Sequence, residues 1–129
     1  ESEYFAGEEI QFLLRVNRHS YVYLFDLNAK GEAVLLFPGL DKGEKQKQVV
    51  GNEVLILPDD GMPYKIVVTE PYGKDLIWAV ASEQALDIPG ELTGDWGDAQ
   101  KLKKRIHQMA KSTGKGFAEA FVLVTTSEN

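Results

Sequence analysis

Short apolar runs separated by turn-forming residues are the feature that most constrains the fold of this chain. In residues 10–16 apolar side chains recur at every second position, and the polar Gln11 and Arg15 lie between them. This alternation predicts a strand with one buried face. Residues 21–25 are apolar on both faces, and a strand of this kind belongs inside a sheet rather than at its edge.

A β-hairpin is predicted after this second strand. Residues 26–31 have the Asn and Gly content of a hairpin loop, and residues 34–37 form the returning strand before Pro38. We expect the two strands to pair antiparallel. Residues 39–51 lack periodicity and are predicted to form a mobile, solvated loop. Further short strands, each bounded by turn formers, are predicted at residues 53–57, 64–69 and 75–81.

The pattern changes to that of a helix over residues 98–113. Its apolar residues lie along one helical face and comprise Ala99, Leu102, Ile106, Met109 and Ala110. Asp98 is suited to cap the helix N-terminus, and Gly114 is suited to end the helix with a left-handed residue. Strand character returns from Phe117 to Thr125.

Together these patterns predict a mainly β fold. We expect an antiparallel immunoglobulin-like β-sandwich of about seven strands, with one α-helix inserted before the last strand. Residues 1–129 are predicted to form a single domain. The first residues show neither an initiator methionine nor a signal-peptide pattern, so we expect the domain to be excised from a longer protein.

Charge and composition exclude several classes of partner. The chain carries 20 acidic and 14 basic residues, a formal net charge of −6, whereas a general nucleic-acid binder needs a positive field. Cysteine is absent, which removes disulfides, thiolate zinc sites and cysteine nucleophiles. No apolar run approaches the roughly 18 residues that span a bilayer, so we expect no membrane span.

The sequence offers no catalytic motif. Nucleophile elbows, phosphate loops and dinucleotide sites each need a glycine spacing that is absent here. His19 and His107 have no further ligand at metal-binding spacing. Asp59 and Asp60 precede Gly61 in a pattern that favours a turn over a calcium loop. We therefore expect no catalytic residue, no cofactor and no metal, and we predict that the protein is not an enzyme.

A candidate interaction surface lies around the helix and comprises Lys101, Lys104, Arg105, Lys111 and Trp96. The helix reverses the local charge of an acidic protein, which favours docking of an acidic protein surface or lipid head groups. The alternative is a solvated helix face. The tryptophan lies in a glycine-flanked loop, where it either stacks on carbohydrate or peptide or covers the helix–sheet junction as a lid. By contrast, Trp78 alternates with apolar neighbours and is predicted to lie in the core.

Several segments in a fixed order carry a family resemblance. They are residues 5–10 (FAGEEI), 21–25 (YVYLF), 36–38 (LFP), 54–58 (VLILP) and 70–82 (EPYGKDLIWAVAS). Through them the chain resembles the DUF4384 family, a bacterial domain of unknown function. The resemblance implies a module attached to caspase-like peptidases, protein kinases or CsgG-like envelope proteins, and it supplies no catalytic residue. Residues 87–129 lie outside the shared pattern.

These observations predict a non-catalytic binding or accessory module of a larger bacterial envelope or signalling protein. We expect it to mediate protein–protein interaction with other domains of the same polypeptide or with a separate protein, and the periplasm or cell envelope is favoured over the cytoplasm. The alternative is a carbohydrate-binding or hydrolytic domain that uses loop carboxylates and Trp96. A third hypothesis is a structural spacer that orients neighbouring domains.

Overall fold

A computed structural model describes residues 2–40 and 43–129 of the chain. The elements in chain order are β1 (Ser2–Phe5), β2 (Glu9–Ile10), β3 (Phe12–Arg15), β4 (Ser20–Leu27), β5 (Ala33–Phe37), β6 (Gln48–Val49), β7 (Val54–Leu57), β8 (Ile66–Val67), β9 (Gly73–Ser82), α1 (Ala99–Thr113) and β10 (Phe117–Ser127). A short 3-10 turn at Gly94–Gly97 precedes α1. The predictions of a mainly β chain and of one helix before the last strand are confirmed.

Most strands belong to one main sheet. Its strand order is β1-β10-β9-β4-β5, and β6 also pairs with β4. β1 runs parallel to β10, whereas the other neighbours in this sheet run antiparallel. The remaining strands form two separate ribbons, β2 with β8 and β3 with β7. The last strand of the chain therefore lies between the first strand and β9.

Each face of the main sheet buries its own core. The α1 core lies between the sheet and the helix, and it contains the fully buried Tyr23 and Trp78 against Leu102. The ribbon core lies between the opposite face and the two ribbons, and it contains Ile77 against Ile10. The strands alternate between the two cores because successive side chains of a strand point to opposite faces.

The immunoglobulin-like sandwich is not confirmed. A helix, rather than a second sheet, covers one face of the main sheet, and the pairing of β1 with β10 is parallel. The physical reason lies in α1, whose apolar side chains form a stripe wide enough to cover the sheet face. Those side chains are buried and comprise Ala99, Leu102, Ile106 and Ala110.

The hairpin between β4 and β5 has the predicted antiparallel pairing but a shorter loop. Asn28 closes the loop, because its Oδ1 accepts hydrogen bonds from the N–H groups of Lys30 and Glu32 at 3.0 Å. The prediction that Asp26 and Leu27 belong to the loop is wrong. Both continue β4, because the alternation of side chains runs on past residue 25 and buries Leu27 in the α1 core.

The helix is confirmed at both ends. Asp98 caps its N-terminus, where the side-chain Oδ1 accepts a hydrogen bond from Lys101 N at 3.0 Å. Gly114 follows the last helical residue with φ 65°, a left-handed conformation that glycine adopts without steric cost.

The predicted solvated loop at residues 39–51 is partly ordered by core contacts. Asp41 and Lys42 lie outside the described residues. The Gln46 side chain accepts a hydrogen bond from the Tyr23 hydroxyl and donates one to Leu86 O at 3.2 Å. β6 then pairs with β4, so the prediction of a fully solvated loop is wrong for its second half. A buried hydroxyl needs a hydrogen-bond partner, and this loop supplies one.

Candidate functional site

β10 is paired along its whole length on one side only. β9 pairs with it from Phe117 to Thr126, whereas β1 pairs only with Val124–Ser127. The β1 side of Phe117–Leu123 therefore faces no other strand within residues 2–40 and 43–129. We call this segment the open edge.

Two hydrogen bonds fix the direction of the backbone groups along β10. Ala6 N donates to Ser127 O on the β1 side, and Glu83 N donates to Gly116 O on the β9 side, both at 2.9 Å. Because the backbone groups of successive strand residues alternate between the two sides, odd-numbered residues of β10 face the β1 side. The open edge therefore presents the backbone N–H and C=O groups of Phe117, Glu119 and Phe121.

The side chains at the Phe121–Leu123 end of the open edge are apolar and partly exposed. Phe121 is 45% exposed and Val122 is 51% exposed, and the adjoining Leu123 is also exposed. The Phe121 ring lies parallel to the buried Trp78 ring, with centroids 5.9 Å apart and an interplanar angle of 5°. Phe121 therefore lies on the α1 face of the sheet, and Val122 lies on the opposite face.

Glu119 joins the open edge to the helix. Its Oε1 accepts a hydrogen bond from Trp78 Nε1 at 2.8 Å. Both of its carboxylate oxygens lie 3.0 Å from His107 Nε2 on α1. The His107 ring also meets Trp78 and Phe117 edge-on, with centroids 5.7 and 5.9 Å apart. The one carboxylate of the open edge is thus turned toward the α1 face and held there.

The structure brings together three of the five predicted interaction residues. Asp95 in the 3-10 turn lies 3.2 Å from Lys101 Nζ and 3.7 Å from the Arg105 guanidinium. The same guanidinium lies 4.9 Å from the centre of the Trp96 ring. Trp96 is half-buried and packs against the α1 core. These contacts leave less of this cluster for a partner than the sequence suggested.

Lys104 and Lys111, the other two predicted residues, lie on a different side of the helix. Both line a shallow depression together with His107, Gln108 and Phe117. Neither makes an ion pair with another residue in the described part of the chain. We call these α1 residues, together with the open edge, the α1–β10 surface.

The sequence identified β10 as a strand but missed its open edge. The run from Phe117 to Val124 shows that both faces of the strand carry apolar side chains. Only the register of β1, whose first residue Ser2 lies opposite Val124, shows that one side is unpaired within the described residues. This pairing joins the two ends of the chain, and local periodicity carries no signal for it.

A second feature that the sequence missed is a pair of carboxyl groups in the ribbon core. Asp26 and Asp75 line a cavity of about 200 Å³ whose other walls are mainly apolar. Asp75 is only 8% exposed, and the Oδ1 atoms of both residues are buried with no other partner among the described residues. Burial, together with the hydrogen bond and the negative charge of Asp75, raises the pKa of the Asp26 carboxyl to about 8. A proton held between the two carboxyls supplies the missing donor.

The other residues considered for chemistry have ordinary structural roles. Asp59 accepts a hydrogen bond from Gly61 N at 2.8 Å, which is the turn predicted for this segment. His19 is exposed between β3 and β4. No group of three or more His, Asp or Glu residues in the described ranges is arranged to hold a metal ion. In the same ranges no helix is long and apolar enough to cross a bilayer.

The fold and site define a mainly β domain that is capped by one helix and has an open strand edge beside that helix. Residues 3–85 match the family model described as "Domain of unknown function (DUF4384)", and the chain belongs to this family. No curated protein and no solved structure matches the chain. The matched residues end before α1 and β10, although β10 completes the main sheet between β1 and β9.

Proposed function

We propose that this domain is a non-catalytic binding or accessory module that mediates protein–protein interaction within a larger bacterial envelope or signalling protein. The observation that carries this proposal is the open edge of β10. Its unpaired backbone groups and exposed apolar side chains form a surface that association with another protein would bury.

The open edge lacks most of the features by which sheets protect their edges, and the inward-turned Glu119 is the exception. Protein sheets shield exposed edges with proline, lysine, bulges or very short strands. Residues 117–123 contain neither proline nor lysine, and their register with β9 is continuous. The only charge, on Glu119, is turned toward Trp78 and His107. At the other end of the main sheet, β5 is short and is followed by Pro38.

A carbohydrate-binding or hydrolytic function is the second candidate, and the Asp26–Asp75 pair is the observation in its favour. Hydrolysis of a glycoside needs two carboxyls separated by about 5 Å or more, with the substrate between them. Here the carboxyls lie close enough for Asp75 to raise the pKa of the Asp26 carboxyl, in a cavity smaller than the roughly 300 Å³ of a typical ligand site. Arg105 also lies over the Trp96 ring on which a sugar would stack. These contacts favour the binding module.

Site-specific photo-crosslinking tests the proposed function in the protein as its own cells produce it. A photoreactive phenylalanine analogue replaces Val122 on the open edge or, as a matched control, Val34 on β5, which is 46% exposed. We expect adducts with another protein or another domain from position 122 but not from position 34. Equal adducts from both positions, or none from position 122, would contradict the proposal.

A further inference from the structure

The α1–β10 surface, if it is the docking site proposed above, also specifies the chemistry of what docks there. We propose that the open edge accepts an extended segment of a partner protein as an additional strand of the main sheet. The segment is acidic beside Phe117–Glu119 and apolar beside Phe121–Leu123.

Strand addition follows from the backbone geometry of the open edge. The backbone N–H and C=O groups point away from β9 at Phe117, Glu119 and Phe121. An added strand pairs with such groups without any change in β10. A strand rises about 3.3 Å per residue, so an occupant of the segment from residue 117 to residue 123 needs a length of roughly 20 Å. Main-chain hydrogen bonds then supply affinity, and the flanking side chains supply selectivity.

The acidic half follows from the cations around Phe117. Lys104 and Lys111 lie beside it on the α1 face. On the opposite face Arg15 lines a second depression with Phe117 and Ala118, and it makes no ion pair with another described residue.

Two carboxylates beside these depressions, Glu83 and Glu119, are already engaged. Glu83 pairs with Arg18 at 3.6 Å, and Glu119 is bonded to Trp78 and His107. The uncompensated charge at this end of the open edge is therefore positive, although the whole chain carries −6. An acidic segment complements it.

The apolar half follows from the other end of the open edge. Phe121, Val122 and Leu123 are exposed there and alternate between the two faces of the sheet. Branched apolar side chains on an added strand would cover them from both faces, as cross-strand neighbours do within a sheet.

A second copy of this chain is a poorer occupant than an acidic segment. Antiparallel pairing of two β10 strands about Ala120 would set residue 117 of one copy opposite residue 123 of the other. Each copy would then bring its own Lys104, Lys111 and Arg15 to the joint sheet. The two open edges themselves would supply no free carboxylate to them, because Glu119 is already hydrogen-bonded.

Synthetic peptides of seven residues provide the probe. One half carries three glutamates and the other half carries valine and threonine, and both orders are made because the added strand runs in either direction. A version with lysine in place of glutamate tests the charge. A version with alternate backbone N-methyl groups keeps the charge but cannot pair as a strand. Fluorescence anisotropy of labelled peptides measures binding to the intact protein.

We expect one order of the glutamate peptide to bind, and we expect added salt to weaken it. Amide exchange should slow at Phe117, Glu119 and Phe121. Lys104→Glu with Lys111→Glu should weaken binding about tenfold. The matched double variant Lys30→Glu with Lys45→Glu makes the same change of net charge on remote exposed sites and should leave binding unaltered.

Four results would overturn the inference. Equal binding of the N-methylated peptide would exclude strand addition. Equal weakening by the two double variants would show that net charge, rather than the α1–β10 surface, attracts the peptide. A stable dimer with protected Phe117 and Phe121 amides would identify a second copy as the occupant. Failure of all the peptides while Val122 still crosslinks to a partner would reject the acidic strand and leave the proposed function intact.

Discussion

The two faces of the main sheet bury their polar groups in different ways. On the α1 face the Tyr23 hydroxyl donates to Gln46 and accepts from Leu86 N at 2.8 Å, and Trp78 donates to Glu119. On the ribbon face the Oδ1 atoms of Asp26 and Asp75 are buried, and among the described residues neither has a hydrogen-bond partner outside this pair. The α1 face is therefore satisfied by hydrogen bonds that need no change of protonation, whereas the ribbon face depends on a bound proton.

The comparison implies that the two faces respond differently to pH. An ordinary aspartate has a pKa near 3.8, and in the folded domain the pKa of Asp26 is raised to about 8. Between these values the folded domain retains a proton that the unfolded chain has released. The free energy of unfolding therefore falls as pH rises through this window, and the contribution of the pair is lost above about pH 8. Burial also raises the pKa of the Tyr23 hydroxyl, which stays neutral over the same range.

The largest expected effect tests how far the α1 face depends on packing. Trp78→Ala should lower the free energy of unfolding by about 3–5 kcal/mol, because the ring is fully buried and packs against Phe25 and Phe121. Urea denaturation measures the change. Trp96→Ala is the control and should cost clearly less, since that ring is only half-buried. An equal loss from both variants would mean that Trp78 is not central to this core.

The second-largest expected effect comes from removing the ionisable group on which the pH dependence of the ribbon face rests. Asp26→Asn should raise the free energy of unfolding at pH 8 by about 2 kcal/mol, because an amide donates to Asp75 without ionising. It should also flatten the pH dependence between pH 5 and pH 8, where the unmodified domain should lose about 1 kcal/mol per pH unit.

Urea titrations at several pH values measure both changes for this variant. Asp60→Asn, at an exposed position, serves as the control and should keep the slope of the unmodified domain. A slope that survives in Asp26→Asn would show that another group carries the pH dependence.

The smallest expected effect concerns the hydrogen bonds of the Tyr23 hydroxyl on the α1 face. Tyr23→Phe should cost about 1 kcal/mol, because it leaves Leu86 N without its acceptor and Gln46 Oε1 without its donor. The loss should be the same at pH 6 and pH 8, since the hydroxyl is neutral at both. If the loss of unfolding free energy differed between these pH values, the α1 face would not be independent of pH as proposed.

Features set by neighbouring residues were predictable from the sequence. The helix was placed correctly because Asp98 and Gly114 mark its ends within a few residues of its apolar stripe. The pairing of β4 with β5 followed from a short loop with turn chemistry. Trp78 was assigned to the core because it alternates with apolar neighbours. Each of these patterns spans fewer than about twenty residues.

Features that depend on distant pairing were not predictable. The sequence pattern predicts that Asp26 lies in a loop, and it carries no sign that Asp75 on β9 lies beside it. The predicted basic surface divides into two parts because Asp95 binds Lys101 and Arg105 and leaves Lys104 beside the open edge. The sequence predicts that the main sheet is half of a sandwich, because the apolar alternation of a strand is the same whether a sheet or a helix covers it.

The position of β10 also orders events during synthesis. Among the described strands β1 is synthesised first, and β10, its partner in the main sheet, is synthesised last. Closing a loop of more than a hundred residues carries a large entropic cost, and β1 gains its sheet hydrogen bonds only after that loop has closed. The nascent chain must therefore hold β1 and one side of β9 unpaired until Ser127 has been made, so these strands are most exposed to aggregation just before β10 is complete.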